Sequence, residues 1–272
     1  MDPKLAVDSE RQNPKLGRIR IYPFKSLAPI EVTECLLTES GSLENDRRFA
    51  FRLPDGTYFN AKRDPRIHEI TLRANKNLSC FEFSRRGGSE RMTVDPTRGF
   101  DGLEQWIFEQ FNVLVKVSES KTPGFPDDTS SPGPTIISKA TLERIAIWFP
   151  GLTVDSIRSR LRTNLEIENV PAFWEDHLFG ENSTEGVDFT VGEAPLQGVN
   201  PCQRCIVPTR DPQTAKVLTD FAKNFRTHRK SELPPWASRS PFNHFYRVAT
   251  NTRLARRMTG SIRIRVGDCV SL

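Results

Sequence analysis

The sequence predicts a mostly β protein with few helices, and three observations support that fold class. Short segments in which apolar and polar residues alternate recur along the chain, and Gly, Pro, Asn or Asp bounds each of them. Predicted helices are few: we identify three segments that place apolar residues at the spacing of an amphipathic helix. The 272 residues are also enough for one large or two modest domains with a substantial core.

The alternating segments are the predicted strands. They span residues 18–22, 30–36, 49–53, 69–73, 80–83, 92–94, 165–167 and 261–266. After the third of these, Pro54 presets φ and Gly56 accepts a positive φ, so this segment favours a tight turn. The turn predicts a hairpin of residues 49–53 with residues 58–61.

Three helices are predicted in the middle and later parts of the chain. Asp101 and Ser138 are the candidate N-caps of the first two, because each precedes an apolar stripe at helical spacing. The third is expected to start near Val217 or Leu218 and to run through Phe225.

Two regions rich in Pro, Gly and Ser interrupt these elements, at residues 120–134 and 231–243. The first lies between an N-terminal β region and the rest of the chain. It predicts a domain boundary near residue 120.

The cysteines favour a reducing compartment. They are odd in number and scattered, at positions 35, 80, 202, 205 and 269, and the N-terminal segment lacks the apolar region of a secretory leader. The most hydrophobic stretch, residues 135–153, carries Lys139, Glu143 and Arg144, which a membrane span would avoid. We therefore expect a cytoplasmic protein with free thiols and no membrane association.

The formal charge of +5 comes largely from arginines spread along the sequence. No zinc finger, basic zipper or RNP-like aromatic motif accompanies this charge, so nucleic-acid binding is not expected. Arginine also binds phosphorylated or carboxylated small molecules through paired hydrogen bonds. The expected partner is therefore a small molecule with an anionic group.

Cys202 and Cys205 form a C-x-x-C pair, which by itself leaves several interpretations open. A structural zinc needs a second pair of ligands, and the remaining three cysteines and four histidines offer none at suitable spacing. A thioredoxin-type dithiol begins a helix, whereas residues 206–209 are predicted to be extended and include Pro208. What remains is one metal-ligating or nucleophilic cysteine, or two buried apolar residues. Arg204 beside Cys205 favours the thiolate, which is the form that ligates metals.

Four further clusters of polar residues lie in predicted loops. They are residues 22–26 with Lys25 and Ser26, 41–49 with Asp46 and Arg47, 127–131 with Asp128, Thr129 and Ser130, and 160–164 with Arg162 and Asn164. Each alone has an ordinary explanation as a solvated turn or a surface ion pair, and none identifies a function by itself.

Taken together, the clusters occur in the order and approximate spacing of MOSC-domain proteins, and the chain resembles that family from about residue 16 to residue 272. The motifs are YPFKS at 22–26, GSLENDR at 41–47, NAKRDPR at 60–66, DDTS at 127–130, LRTN at 161–164, WED at 174–176, VGE at 191–193, QRC at 203–205, DPQT at 211–214 and IRVGD at 264–268. The family includes the mitochondrial amidoxime-reducing component. The resemblance implies an N-terminal MOSC β-barrel domain over residues 16–120, packed on a MOSC β-barrel domain over residues 121–272.

The resemblance also implies a site for the molybdenum cofactor, which is molybdenum bound to molybdopterin. Cys205 matches the cysteine that ligates the metal in amidoxime-reducing members, and it would be the catalytic residue. The residues implied to bind the cofactor are Lys25, Ser26, Arg47, Asp128, Thr129, Ser130, Arg162 and Asn164. Cations and hydrogen-bonding groups suit molybdopterin, because it carries a phosphate and a polar ring system.

Three positions depart from the family pattern. Residues 131–134 lengthen the loop after DDTS, Thr163 stands where proline is usual, and Ala215 stands where glycine is common. The first two would alter the mouth of the site. No C-x₄-C-x₂-C run for a [2Fe–2S] cluster follows the barrel, so electrons would come from a separate donor protein of ferredoxin, flavodoxin or cytochrome type.

The activity implied by the resemblance is that of an oxidoreductase, which reduces N-hydroxylated or N-oxygenated small molecules or transfers an oxygen atom. Two alternatives stay open. One is a non-catalytic carrier that passes the cofactor, or a persulfide sulfur on Cys205, to another enzyme. The other is a binding module that has lost its metal, which the retention of Lys25, Arg47, Arg162 and Cys205 disfavours.

Overall fold

The computed structural model describes residues 13–182 and 185–272 of the chain. The strands within these ranges are β1 (Lys15–Ile21), β2 (Ile30–Val32), β3 (Glu34–Leu37), β4 (Phe49–Arg52), β5 (Ile70–Ala74), β6 (Phe81–Arg85), β7 (Arg91–Val94), β8 (Lys116–Glu119), β9 (Ile136–Ser138), β10 (Leu165–Glu168), β11 (Val187–Val191), β12 (Ala194–Gln203), β13 (Arg247–Leu254), β14 (Ile262–Arg265) and β15 (Val270–Ser271). The α-helices are α1 (Asp101–Phe111), α2 (Lys139–Ile147), α3 (Val154–Leu161) and α4 (Phe221–Ser231). Short 3-10 helices span Pro65–Glu69, Pro96–Arg98, Trp174–Leu178 and Val207–Thr209.

The largest sheet has eight strands in the order β15-β11-β12-β13-β9-β10-β1-β2. Its neighbouring strands are antiparallel except β9 and β10, which are parallel. Strand β1 pairs with β10, so that Ile19 lies opposite Leu165. This pairing brings the loop that follows β1 next to the C-terminal end of α3.

A smaller β region contains the three-stranded sheet β5-β6-β7 and the pair β4-β8. Its core is aromatic: the ring of Phe24 lies 4.8 Å from that of Phe49, 5.4 Å from that of Phe81 and 5.0 Å from that of Phe83. The apolar face of α1 is buried in the same core, as its helical spacing predicts. Asp101 is the first residue of α1, however, and Phe100 occupies the N-cap position that was predicted for Asp101.

Helices α2, α3 and α4 enclose a third core beside the large sheet. The Trp148 ring stacks on Phe173 and meets Phe225 edge-on. Ser138 caps α2 by accepting a hydrogen bond from the backbone N–H of Thr141, which confirms the prediction for this cap.

The structure confirms a mostly β fold with few helices. Two strand predictions need correction. Residues 30–36 are divided at Thr33 into β2 and β3, which join different sheets. The predicted turn at Gly56 forms, but residues 58–61 contribute only an isolated bridge from Tyr58 to Arg52, and β8 is the main partner of β4.

Two helix predictions are also corrected. Helix α3 was not predicted, and α4 begins at Phe221 because Val217 instead bridges to the backbone of Arg210. Residues 206–209 were predicted to be extended, which is wrong, because a 3-10 helix spans Val207–Thr209. Pro208 fits the first turn of such a helix, where a missing N–H costs nothing.

No α-helix of the described residues is long and apolar enough to cross a membrane. All five cysteines are free thiols. The boundary predicted near residue 120 falls between β8 and β9, and it stays a prediction.

Candidate functional site

A cavity of about 480 Å³ opens where segments distant in the sequence meet. Its walls come from the segments before and after β4, the segment between β8 and β9, the C-terminal end of α3, β12 with the residues that follow it, and β13. Arg47, Asp128, Arg162, Cys202 and Cys205 are among the residues that line it. We call this space the polar cavity.

A smaller cavity of about 140 Å³ adjoins the polar cavity and shares Arg47, Arg162 and Cys205 with it. Lys25 and Ser26 line this second space. Six of the nine predicted site residues therefore border two adjoining cavities; they are Lys25, Ser26, Arg47, Asp128, Arg162 and Cys205.

Tyr22, the first residue after β1, organises two of the cations. Its phenol is fully buried and donates a hydrogen bond to the backbone oxygen of Thr163 at 3.1 Å. The guanidinium carbons of Arg162 and Arg47 lie 4.3 and 5.6 Å from the centre of its ring. Both arginines are thus held at the cavity wall by cation–π contact with one aromatic side chain.

Arg162 is the cation most available to a ligand. It terminates α3 in the left-handed conformation, with φ of 55°, and this turn directs the chain from the helix towards β10. Burial lowers the pKa of its guanidinium. Among the described residues, none forms an ion pair or a side-chain hydrogen bond with it, so its donors can bind an anion.

Lys25, in contrast, is already paired. Its ammonium donates to the backbone oxygen of Phe125 and to Asp127 Oδ1, both at 2.9 Å. Burial lowers the pKa of Lys25, and the Asp127 carboxylate opposes that shift. Partial burial would raise the pKa of Asp127, but Lys25 and Lys62 outweigh it and hold the pKa well below its usual range. Lys25 therefore has one N–H left for a ligand, and the Asp127 carboxylate offsets part of its charge.

The two cysteines at the end of β12 differ in their surroundings. Cys202 is 4% exposed, its thiol donates to Asn251 Oδ1, and burial raises its pKa to about 11. Cys205 is partly exposed and borders both cavities. Arg204, between them, donates to the backbone oxygens of Leu161 and Val248 at 3.0 Å. Cys205 is accordingly the thiol that a ligand can reach.

Comparison with known protein families gives two matches. Residues 13–104 match the MOSC N-terminal beta barrel domain, and residues 136–271 match the MOSC domain. The chain belongs to the MOSC family. MOSC domains are associated with molybdenum-cofactor-binding proteins.

Other comparisons add little to this assignment. No curated protein sequence matches the chain. Among solved structures, the YUAD protein from Bacillus subtilis matches 95% of this chain with 94% of its own, at 9% identity and a TM-score of 0.36. A likeness this weak carries no argument about function.

Asn164, one of the residues implied by the MOSC resemblance, supports the site from behind. Its side chain is fully buried. The amide nitrogen donates to the backbone oxygen of Arg20 and to Asp46 Oδ1, while the amide oxygen accepts from Thr135. Asp46 in turn pairs with Arg47. Asn164 therefore positions the arginine and does not itself reach the cavity.

The DDTS segment lies only partly at the polar cavity. Asp128 lines the polar cavity, and its carboxylate accepts a hydrogen bond from the backbone N–H of Ser130. Thr129 and Ser130 are exposed and do not line either cavity. Ser131, which the family motif does not include, does line it, and its buried hydroxyl has no partner among the described residues.

Other residues of the polar cavity were not predicted. Lys62, Arg247 and Asn251 all line the polar cavity. Lys62 lies within the NAKRDPR motif, which was a usable signal, whereas no spacing in the sequence marks Arg247 or Asn251. Both belong to β13, which reaches the cavity only because it pairs with β12.

The polar cavity is strongly cationic. Its lining includes five cations, Arg47, Lys62, Arg162, Arg204 and Arg247, but only two carboxylates, Asp127 and Asp128. In the described part of the chain, no group of three or more His, Cys, Asp or Glu side chains could hold a metal ion. A metal at Cys205 would thus need most of its ligands from a bound cofactor. The lining fits such a cofactor with an anionic group, because it offers an unpaired guanidinium and a partnerless buried hydroxyl.

Proposed function

We propose that the protein is a molybdenum-cofactor-binding oxidoreductase that reduces N-hydroxylated or N-oxygenated small molecules or transfers an oxygen atom, as amidoxime-reducing members of the family do. The observation that carries the proposal is the placement of a partly exposed thiol, Cys205, at the edge of a cavity lined by five cations. The family assignment supports the same cofactor.

The side chains of this cavity divide between parts of the cofactor. Arg162 and Arg47 would hold the phosphate, because guanidinium groups bind phosphate through paired hydrogen bonds. The Ser131 hydroxyl would bind the polar ring system, and Cys205 would ligate the metal. When bound, the cofactor supplies the two-electron redox chemistry. The chain's own contribution is to bind and orient it.

The proposed enzyme works in the cytoplasm and takes electrons from a separate protein of ferredoxin, flavodoxin or cytochrome type. Its five free thiols support a reducing compartment.

The proposal is tested by metal content and turnover together. The protein purified from a host that makes the cofactor should contain molybdenum near one equivalent, and Cys205→Ala should reduce it to background in elemental analysis. Cys202→Ala is the matched control and should retain most of the metal, because that thiol is buried and already bonded to Asn251.

Activity is measured as reduction of benzamidoxime or hydroxylamine with an artificial electron donor. The wild-type protein should turn over, and Cys205→Ala should be inactive. Wild-type protein without molybdenum, and unaffected by Cys205→Ala, would contradict the proposal.

The second candidate function is a carrier of the cofactor or of a persulfide sulfur. One observation favours it: Cys205 also borders a pocket that opens to the surface beside Ile206 and Leu218, where another protein could reach it. A carrier would bind molybdenum or a persulfide at Cys205 and yet show no reduction of benzamidoxime or hydroxylamine.

A further inference from the structure

Cys205 also borders a second pocket, whose lining is largely apolar. It is an open depression of about 530 Å³, and its walls come from the residues after β12, from the start of α4 and from Tyr246. Ile206, Val217, Leu218, Phe221 and Tyr246 are among the side chains that line it. We call it the apolar pocket. Its volume lies in the range of small-molecule sites, which is about 300–1,000 Å³.

The apolar pocket shares two wall residues with the proposed cofactor site. Arg204 and Cys205 line both the apolar pocket and the polar cavity. A molecule in the apolar pocket would therefore lie against the same thiol that borders the polar cavity. This is the relation expected between a substrate and a cofactor that reacts with it.

Exposed apolar side chains are concentrated at this pocket. Ile206 is 53% exposed, Val217 is 57% exposed and Leu218 is 37% exposed. They make up three of the nine large hydrophobic residues that are exposed in the described parts of the chain. Single exposed hydrophobic residues are ordinary, but a contiguous group beside a concave surface marks a binding site.

Tyr246 lines the pocket and carries a buried hydroxyl that the described residues leave unused. Its side chain is 6% exposed, and its buried hydroxyl has no hydrogen-bond partner among residues 13–182 and 185–272. The ring is held in place by Phe225, 5.3 Å away edge-on, and by the Arg226 guanidinium 5.6 Å from its centre. Because a buried hydroxyl without a partner is costly, an acceptor on a ligand would be stabilised here.

The charges around the pocket select among ligands. Arg204, Lys223 and Arg226 line it, against the single carboxylate of Asp220. A cationic ligand would be repelled, and a neutral or anionic one would be tolerated or attracted.

We propose that the apolar pocket binds the organic body of the substrate, which is an aromatic or branched aliphatic N-oxygenated molecule without positive charge, with its N–O oxygen accepting a hydrogen bond from the Tyr246 hydroxyl. This inference rests on the proposed function, because the N–O group would be the one reduced. It adds the site of binding, the apolar character of the substrate and the role of Tyr246 in positioning it.

Binding is measured first, by calorimetric titration of the full chain with benzamidoxime. Leu218→Asp and Val217→Asp should weaken binding by about tenfold or more, since each removes apolar contact worth about 1.5 kcal/mol and adds a charge. Ile147→Asp is the matched control, because Ile147 is 68% exposed and does not line the pocket. All three variants should melt at the wild-type temperature within a few degrees.

Tyr246→Phe tests the hydroxyl alone. It should weaken benzamidoxime binding by about 2- to 10-fold, which corresponds to the loss of one hydrogen bond of ordinary strength. An unchanged affinity would overturn the assignment to Tyr246. If the wild-type protein, Leu218→Asp and Val217→Asp bound benzamidoxime equally well, the assignment of the apolar pocket as the binding site would be overturned.

The reductase assay separates this inference from the proposed function. Leu218→Asp should raise KM for benzamidoxime about tenfold or more and leave KM for hydroxylamine unchanged, because hydroxylamine has no apolar body. If Leu218→Asp reduces benzamidoxime and hydroxylamine with unchanged KM values, the proposed function stands and the assignment of the apolar pocket is wrong. If it lacks molybdenum but the calorimetric differences hold, the function fails and the binding site stands.

Discussion

Residues 44–130, which form most of the aromatic core, differ from the rest of the chain in the kind of side chain that they bury. No polar or charged side chain between residues 44 and 130 is buried. The remainder of the described chain buries seven charged side chains; they are Arg20, Arg158, Arg160, Glu166, Glu175, Asp176 and Arg229. The first region buries only apolar side chains, whereas the second also buries charged side chains that need fixed polar partners.

The buried charges lie under the structures that carry the site. Arg158 pairs with Glu166 and so ties α3 to β10, which flank Arg162 in the chain. Arg229 of α4 is fully buried between the rings of Phe173 and Phe242, and it pairs with Asp176. Burying such a pair costs desolvation energy. The pair still fixes the orientation of its two side chains, because a buried charge that has lost its partner is strongly destabilising. The comparison teaches that the turn which positions Arg162 lies between elements that directional interactions hold together.

The largest expected effect is that of Arg229→Leu. It leaves Asp176 buried without its partner, so the free energy of unfolding should fall by about 3–5 kcal/mol in urea titrations. Lys230→Leu, on the exposed face of the same helix, is the control and should change stability by about 0.5 kcal/mol or less. A loss below about 1 kcal/mol for Arg229→Leu would mean that the pair is not needed, and the comparison between the two cores would fail.

The second prediction concerns Glu175, which is fully buried beside Asp176. Burial, followed by the neighbouring carboxylate, raises its pKa from 4.5 to about 7. Because the folded state then holds a proton that the unfolded state has released, stability should fall as the pH rises from about 4.5 to 7. Glu175→Gln should remove this part of the pH dependence, which melting temperatures measured at several pH values will check. The prediction would be contradicted if the melting temperature of the wild-type protein rose between pH 4.5 and 7 and Glu175→Gln removed that rise.

The smallest expected effect is in the aromatic core. Phe81 is 1% exposed and contacts the rings of Phe24 and Phe49. Phe81→Leu keeps an apolar side chain in the same place, so it should cost about 1–1.5 kcal/mol in the same urea titrations. Phe108→Leu is the control, because Phe108 is 39% exposed on α1. A loss larger than that of Arg229→Leu would reverse the comparison.

Much of the fold follows from local sequence patterns. The alternating segments became strands, and the side chain of Ser138 caps α2, since periodicity and capping involve neighbours in the chain. Helix α3 was missed although two local signals mark it: Val154, Ile157 and Leu161 lie at helical spacing, and Thr153 caps the helix. What the sequence could not show is the burial of Arg158, which depends on Glu166 outside the helix.

The candidate site could be predicted only in part. Motif resemblance pointed to Lys25, Arg47, Arg162 and Cys205, and the structure brings these four to adjoining cavities. It could not point to Arg247, which reaches the polar cavity through the pairing of β13 with β12.

The sequence alone determined that the chain is mostly β and that the C-x-x-C pair lies among MOSC motifs. Only the tertiary structure decided which thiol and which cation are available. The Cys202 thiol donates to Asn251, 49 positions away in the chain, and Lys25 pairs with Asp127, 102 positions away, while Arg162 has no such partner among the described residues. The physical reason is that the burial and hydrogen bonding of a residue depend on the distant side chains that pack against it. The local sequence pattern does not determine which side chains these are.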